Sequence, residues 1–158
     1  MIQSIDKQLQ VVMRALREVV APALAGAEKH VAEQVHLSIA TLAFVAERLP
    51  EARRYYRWEL SACLDLAREL GHEGDAALGA FVEAGTAVLA RPEADIADYE
   101  KVTHQGREAI AAFAEADGSV EVERLILKHS AAIIDQQRQW CRPFGFELKP
   151  ETLPAPAW

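Results

Sequence analysis

Cysteine is scarce in this chain, which has only Cys63 and Cys141 among its 158 residues. A pair of cysteines this sparse, without CxxC spacing, does not suggest a zinc site or a redox motif. The longest strongly apolar uncharged run, Leu37 to Ala46, has about half the length of a membrane span. Glycine-rich phosphate loops, nucleophile elbows, HExxH motifs and EF-hand loops are absent. The sequence therefore contains no recognisable reactive constellation, and we predict no cofactor.

Positive charge is in the minority, because 17 Lys and Arg face 24 Asp and Glu for a formal net charge of −7. This acidic balance opposes binding to nucleic acid or to an anionic membrane, so we predict neither as a partner. Asp6 and Lys7 interrupt the apolar region that a secretion signal would need. We therefore expect a cytoplasmic protein of bacterial type.

Apolar residues at helical spacing are what the chain has in abundance. They recur every three or four positions, as in Tyr56, Leu60, Cys63, Ala67 and Leu70, which places them on one side of an α-helix. No stretch of strict apolar and polar alternation is long enough to compete as a strand. The sequence predicts an all-α fold, a five- to six-helix up-down bundle that residues 1–141 form as a single domain, with helices over about 2–21, 27–49, 51–70, 75–89, 92–116 and 119–141.

Local signals support these boundaries. Pro22 ends or kinks the first helix, and Gly71 fits the position after the third. Asp75 and Ser119 are suited to cap the fourth and sixth helices, and Pro92 fits the first turn of the fifth. The second helix is predicted to be central, because its apolar run from 37 to 46 has no polar side.

The C-terminal segment, residues 142–158, is expected to differ from the bundle. Four prolines prevent a regular helix there. Its apolar side chains include Phe144, Phe146 and Trp158, which are unusual in a solvated tail. We predict an extended, Pro-rich strap that packs on its own bundle or on a partner subunit.

The leading functional hypothesis is a non-catalytic helical protein that acts through protein–protein binding in an accessory or regulatory role. The first helix carries apolar residues at the alternating spacing of a bundle seam or coiled pair. We expect a homodimer, or a complex with another protein, and the predicted interface residues are Ile5, Leu9, Val12, Phe144, Phe146 and Trp158.

The first alternative is a binder of a small anionic ligand between helices, such as a phosphate or an acyl or CoA-type group. Arg53, Arg54 and Arg57 lie beside Trp58 within one helix, and arginine with an aromatic edge suits phosphates and carboxylates. The same arginines could instead pair with nearby acids such as Glu51.

The second alternative is a ferritin-like di-metal carboxylate enzyme. Such enzymes use two Glu-x-x-His pairs that point into a bundle. Here the spacing occurs twice, as Glu33 with His36 and as Glu69 with His72. Because no nucleophile is indicated elsewhere, the sequence favours a protein without catalytic activity.

Two polar residues, His129 and Gln136, interrupt the apolar stripe of the last helix. Each is expected to be buried with a hydrogen-bond partner, because buried polar groups are seldom left unpaired. The other interpretation is that they give a polar lining to a pocket between helices.

A resemblance to a small all-helical bacterial family of unknown function covers residues 16–49, LREVVAPALAGAEKHVAEQVHLSIATLAFVAERL. The shared pattern is an amphipathic helix with a Pro-Ala-Leu kink, followed by a helix with an H-x-x-x-A-x-x-x-L-A type of apolar run. The matching positions are His36, Ala40, Leu42 and Ala43. Members are often encoded beside acyl-CoA dehydrogenase-like and phosphotransferase-like proteins. The resemblance implies an accessory role near acyl-CoA or small-acid metabolism and carries over no catalytic residue.

Overall fold

The structure, a computed structural model, describes residues 4–158 without the side chain of His72. The predicted start of the first helix at Ile2 lies outside the described residues. No strand occurs between residues 4 and 158, so the all-α prediction is confirmed. The six helices of this part of the chain are α1 (Ile5–Ala15), which continues through a π-helical turn (Leu16–Val20) and a short turn (Ala21–Ala23), α2 (Lys29–Arg48), α3 (Ala52–Glu69), α4 (Ala76–Ala90), α5 (Ile96–Asp117) and α6 (Val120–Cys141).

The helices divide into two compact units. The first unit contains the chain up to Pro50 together with Trp140–Thr152, and the second contains Glu51–Gln139 together with Leu153–Trp158. The sequence predicted one domain over residues 1–141, which is a coarser division than the contacts give. The predicted strap, residues 142–158, is itself shared between the units and contains two short 3-10 turns, Arg142–Phe144 and Pro150–Thr152.

The second unit has a continuous apolar core formed by α3, α4, α5 and the first part of α6. Tyr99, Leu60, Leu64 and Leu78 are its largest fully buried side chains. The stripe predicted on α3 is buried here from Leu60 to Leu70. Most of the stabilisation of this unit comes from such burial, at about 25 cal/mol for each Å² of apolar surface removed from water.

Two glycines allow the helices of this core to approach closely. At Gly106 on α5, an added Cβ atom would overlap the ring of Phe81 on α4. At Gly85 on α4, it would lie 2.8 Å from Cδ2 of Leu64 on α3. The absence of a side chain at these positions therefore sets how near the helices pack, which the apolar periodicity did not indicate.

The helix ends follow most of the predicted signals. Asp75 accepts hydrogen bonds from the main-chain N–H groups of Ala77 and Leu78, both at 2.9 Å. Gly71, just past the end of α3, has φ +85°, the left-handed conformation that commonly ends a helix and that glycine adopts without strain. Pro92, however, does not lie in the first turn of α5. Asp95 caps that helix in a capping box with Asp98, which satisfies a main-chain N–H at each position.

The first unit is formed by α1, α2 and the first part of the strap, and it buries little. Among its described residues, Met13 and Ile39 are the buried side chains. Leu37 is more than half exposed, so the expectation that α2 is buried on most sides is wrong. The reason is that within this unit α2 has only α1, the end of α6 and a short piece of strap to pack against.

The strap and the end of α6 contact α2 through aromatic side chains. The ring of Phe144 stacks on Phe44, with centroids 4.3 Å apart. Trp140 meets the same Phe44 ring edge-on, and Arg48 donates to the Trp140 carbonyl oxygen at 2.8 Å. These contacts cover one side of α2 only.

The end of α1 changes geometry before Pro22. The N–H of Ala21 donates to the carbonyl oxygen of Leu16, five residues back, which defines a π turn. Proline has no N–H to continue the ordinary ladder, so the helix widens just before it and ends within a turn. This confirms that Pro22 marks the end of the first helix.

We predict that Gly106→Ala lowers the stability of the second unit by about 1–3 kcal/mol, as overpacking of a core does. In an open helix position the same change would stabilise by about 0.5–1 kcal/mol, so the sign reports the clash with Phe81. Urea unfolding followed by circular dichroism measures the difference. Gly74→Ala is the control, because no atom lies within 4 Å of an added Cβ there. A stabilised Gly106→Ala variant would contradict the close packing.

Candidate functional site

The first helix presents an apolar line to solvent. Ile5, Val12 and Val19 are 64%, 47% and 66% exposed. Ile5 and Val12 are seven residues apart, which returns to nearly the same side of a helix after two turns. Val19 follows in the π turn, where the wider helix rotates it partly away from that side. Leu9, also in the predicted interface, is only half-buried. The predicted surface on α1 is thus apolar and uncovered among residues 4–158.

Charged residues lie on the other side of α1 from this apolar line. At about 100° per residue, Lys7, Arg14 and Glu18 each lie about 120–160° around the helix from Val12. Glu18 accepts a hydrogen bond from Arg14 at 3.2 Å, a pair in which both side chains are well exposed. Lys7 forms no ion pair with any residue between 4 and 158. The helix therefore has an apolar side and a charged side.

The aromatic residues predicted for the interface are distributed over both units. Phe144 and Phe146 stack in the first unit, where Phe146 remains largely exposed. Trp158 belongs to the second unit and meets Tyr55 edge-on at 5.2 Å. Its Nε1–H donates to a carboxylate oxygen of Glu51 at 3.1 Å. The end of the strap is thus held by its own chain.

The side chain of Gln136 secures this end of the strap. Its Nε2 donates to the Ala155 carbonyl oxygen at 3.1 Å, and its Oε1 accepts from the N–H of Ala157 at 2.9 Å. Gln136 is therefore buried with partners, as one of the two sequence interpretations held. The main chain that it pairs with could not be identified from the sequence, because any residue can supply a carbonyl and an N–H.

The arginines predicted to bind an anion are engaged with the protein itself. Arg53 donates to the carbonyl oxygens of Ala94 and Pro92 at 3.0 and 2.6 Å. Arg57 donates to the carbonyl oxygen of Leu89 at 2.7 Å, near the end of α4. Leu89 is in the last turn of α4, so Arg57 caps that helix, whereas Arg53 holds the loop between α4 and α5.

Arg54 and Trp58 complete the predicted anion site. Arg54 pairs with Glu51 at 3.4 Å, as the alternative interpretation proposed. Trp58 lies beside Trp158, with centroids 6.3 Å apart. The four residues therefore lie near one another on α3. The polar groups of the three arginines, however, bind main-chain or side-chain oxygens of the second unit itself.

The residues predicted to bind a metal are not assembled in the described structure. Glu33 pairs with Lys29 in the first unit, where His36 also lies on α2. Glu69 belongs to the second unit, and the side chain of His72 lies outside the described residues. No group of three or more His, Cys, Asp or Glu residues in the described part of the chain is placed to hold a metal ion.

Glu69 has partners from α6 instead. Nε2 of His129 lies 3.2 Å from its Oε1, and Nζ of Lys128 lies 3.5 Å from its Oε2. The His129 imidazole, followed by the Lys128 ammonium, holds the pKa of Glu69 below its usual range. This carboxylate therefore contacts two side chains of α6 where α3 and α6 meet.

The second unit also contains a cavity of about 470 Å³ between α3, α5 and α6. Its wall is mainly apolar, with polar groups from Glu59, Arg107, Gln137 and Thr103. Cys63 lies in the same wall, and burial raises the pKa of its thiol to about 11. The sequence gave no signal for this grouping, since its members are far apart along the chain and each is an ordinary helix residue.

The chain has no recognised relatives among the known proteins compared. No protein-family model matches it, and no curated protein or solved structure resembles it at a significant level. The resemblance of residues 16–49 to a bacterial family thus stays a prediction. Among residues 4–158, no helix combines the length and apolar character required to cross a bilayer.

We predict that Gln136→Met releases the end of the strap from α6. Two hydrogen bonds are lost, at about 1 kcal/mol each, so the open form should become roughly thirtyfold more populated. Carboxypeptidase digestion of the native protein, followed by mass spectrometry, should show faster trimming of residues 155–158. Gln105→Met, at an exposed position on α5, is the control. Equal trimming of both variants and the wild type would contradict the role of Gln136.

Proposed function

We propose that this protein is a non-catalytic helical protein that acts through protein–protein binding, and that it first binds a second copy of itself through α1. The observation that carries the proposal is the exposed apolar line of Ile5, Val12 and Val19 in a unit with almost no buried core. The accessory or regulatory role is supported by the sequence, which contains no recognisable reactive constellation.

The sparse core of the first unit supports the proposal that its exposed apolar side chains are buried by association. A helix hidden on one side only gains little stability from packing, since most helical stability in proteins comes from burial of an apolar face. Within the first unit, α1 and α2 leave Leu37 and Val45 exposed as well as the α1 line. A second copy of α1 would extend this small core by another layer.

A two-fold arrangement of two α1 helices provides this cover. The apolar residues Ile5 and Val12 of one copy would pack on the same side of α1 in the other copy, and symmetry repeats each contact. The charged residues of α1 lie on the other side of the helix, so they remain in solvent when the apolar sides meet. The homodimer is therefore compatible with both the apolar and the charged residues of the helix.

The small-anion alternative has weaker support, because Arg53 and Arg57 are bonded to main-chain carbonyls. An anion at this place would have to compete with those carbonyls for the guanidinium donors. The di-metal alternative has no assembled ligand group in the part of the chain that the structure describes. Protein binding remains the function that the described geometry supports best.

We predict that the chain sediments at twice its mass of 17.4 kDa and that Ile5→Glu with Val19→Glu makes it monomeric. Two carboxylates on the α1 line would have to be buried without partners, which costs several kcal/mol. Sedimentation velocity over a wide micromolar range measures the change. The matched control is Val120→Glu with Leu127→Glu, at positions 60% and 68% exposed in the second unit. A monomeric wild type, or a dimer that survives the α1 substitutions, would refute the interface.

A further inference from the structure

We propose that the cavity of the second unit binds a neutral amphiphile, with an aliphatic chain against the apolar wall and a hydrogen-bond donor, such as a hydroxyl, on Glu59. The site is separate from the α1 surface, since all residues that line it belong to the second unit. It is also distinct from the anion site predicted at Arg53 and Arg57.

The size and lining of the cavity suit an aliphatic ligand. Its volume of about 470 Å³ is roughly three times the ~150 Å³ of an apolar cavity that admits benzene. The wall includes Leu66 on α3, Ile110 on α5, and Ile126 and Ile133 on α6. Small-molecule sites have this character, with mainly apolar walls and a few convergent polar groups.

A nearly buried carboxylate provides the polar end of the cavity. Glu59 is 8% exposed. Its Oε1 accepts both of its hydrogen bonds, from Arg107 at 2.8 Å and from Gln137 at 3.2 Å. The other oxygen, Oε2, accepts no hydrogen bond from any residue between 4 and 158. Because this carboxylate lines the cavity, Oε2 is placed to accept a hydrogen bond from a ligand.

The charges around this carboxylate select a neutral head group. The negative charge of Glu59 is balanced by the guanidinium group of Arg107. A carboxylate on the ligand would meet Glu59 as a like charge, and an ammonium group would meet Arg107 in the same way. A hydroxyl or amide N–H can donate to Oε2 without disturbing the ion pair.

The Thr103 hydroxyl provides a second unsatisfied group in the same wall. Thr103 is 3% exposed, and its Oγ1 has no hydrogen-bond partner among the described residues. Threonine hydroxyls inside helices commonly bond to a carbonyl one turn earlier. An unpaired buried polar atom is uncommon in a native protein and here lies in the wall of the cavity that contains Glu59.

Calorimetric titration of the full chain with n-octanol, octanoate and n-octylammonium tests the proposal. These probes share one aliphatic chain and differ in the charge of the head group. We expect one n-octanol to bind per chain, at least tenfold more tightly than either charged probe. Ala111→Phe, at the exposed rim of the cavity, should abolish binding of n-octanol. Thr41→Val, in the first unit, is the control and should leave it unchanged.

Two charge variants test the role of the ion pair. Glu59→Gln leaves Arg107 without its counter-charge, so the order of affinities should shift at least tenfold toward octanoate. Arg107→Met leaves Glu59 unbalanced and should shift the order at least tenfold toward n-octylammonium. Arg107 has a largely exposed side chain, so its variant remains informative if Glu59→Gln fails to fold.

Several results would overturn the proposal. Tighter binding of octanoate or n-octylammonium by the wild type would show that the head group is charged. Absence of n-octanol binding, or binding that Ala111→Phe does not affect, would show that the cavity is not a site for an aliphatic chain. An order of affinities that neither charge variant changes would exclude contact between the head group and the ion pair.

Discussion

The buried carboxylate of Glu59 constrains how three helices of the second unit come together. Withdrawing such a charge from water costs several kcal/mol unless other groups compensate for it. Here one donor comes from Arg107 on α5 and another from Gln137 on α6, while Glu59 itself is on α3. Three helices must therefore stay in register at this level. The same requirement keeps a polar end within an otherwise apolar wall, which is how a structural ion pair and a ligand cavity come to share residues.

The two units solve the problem of apolar burial in different ways. The second unit closes its core with four helices, and it reaches close packing because Gly106 and Gly85 bring the backbones together. The first unit has two helices and a piece of strap, and its apolar residues outnumber the places where they can be buried. The second unit is thus stabilised by close packing of its own core, whereas the first unit leaves apolar surface available for binding to another protein. The proposed division of roles, with binding to protein in one and to a small molecule in the other, follows this contrast.

Helix positions could be predicted from the sequence because apolar periodicity and capping residues act over a few neighbours. Asp75 and Gly71 are examples, since each is defined by bonds or torsions within its own turn. The prediction that Pro92 lies in the first turn of α5 was wrong, because proline only permits a helix to start. Asp95 and Asp98 pair the main-chain N–H groups where the helix actually begins. Leu37 misled because periodicity shows that a side chain is apolar, not how many helices surround it. The hydrogen bonds of Arg53 to a loop, those of Gln136 to the strap and the cavity around Glu59 all depend on main-chain atoms or residues distant in sequence, so no local pattern encodes them.

The fit between Gly106 and Phe81 also has an evolutionary consequence. A related chain with a smaller residue at position 81 could accept alanine or serine at position 106, whereas one that keeps the ring must keep the glycine. Either substitution made alone would leave a core that is overpacked or has a cavity. The residues at positions 81 and 106 should therefore change together during evolution. When homologous sequences are aligned, covariation between these columns would mark descent of the same α4–α5 crossing even where overall identity has been lost.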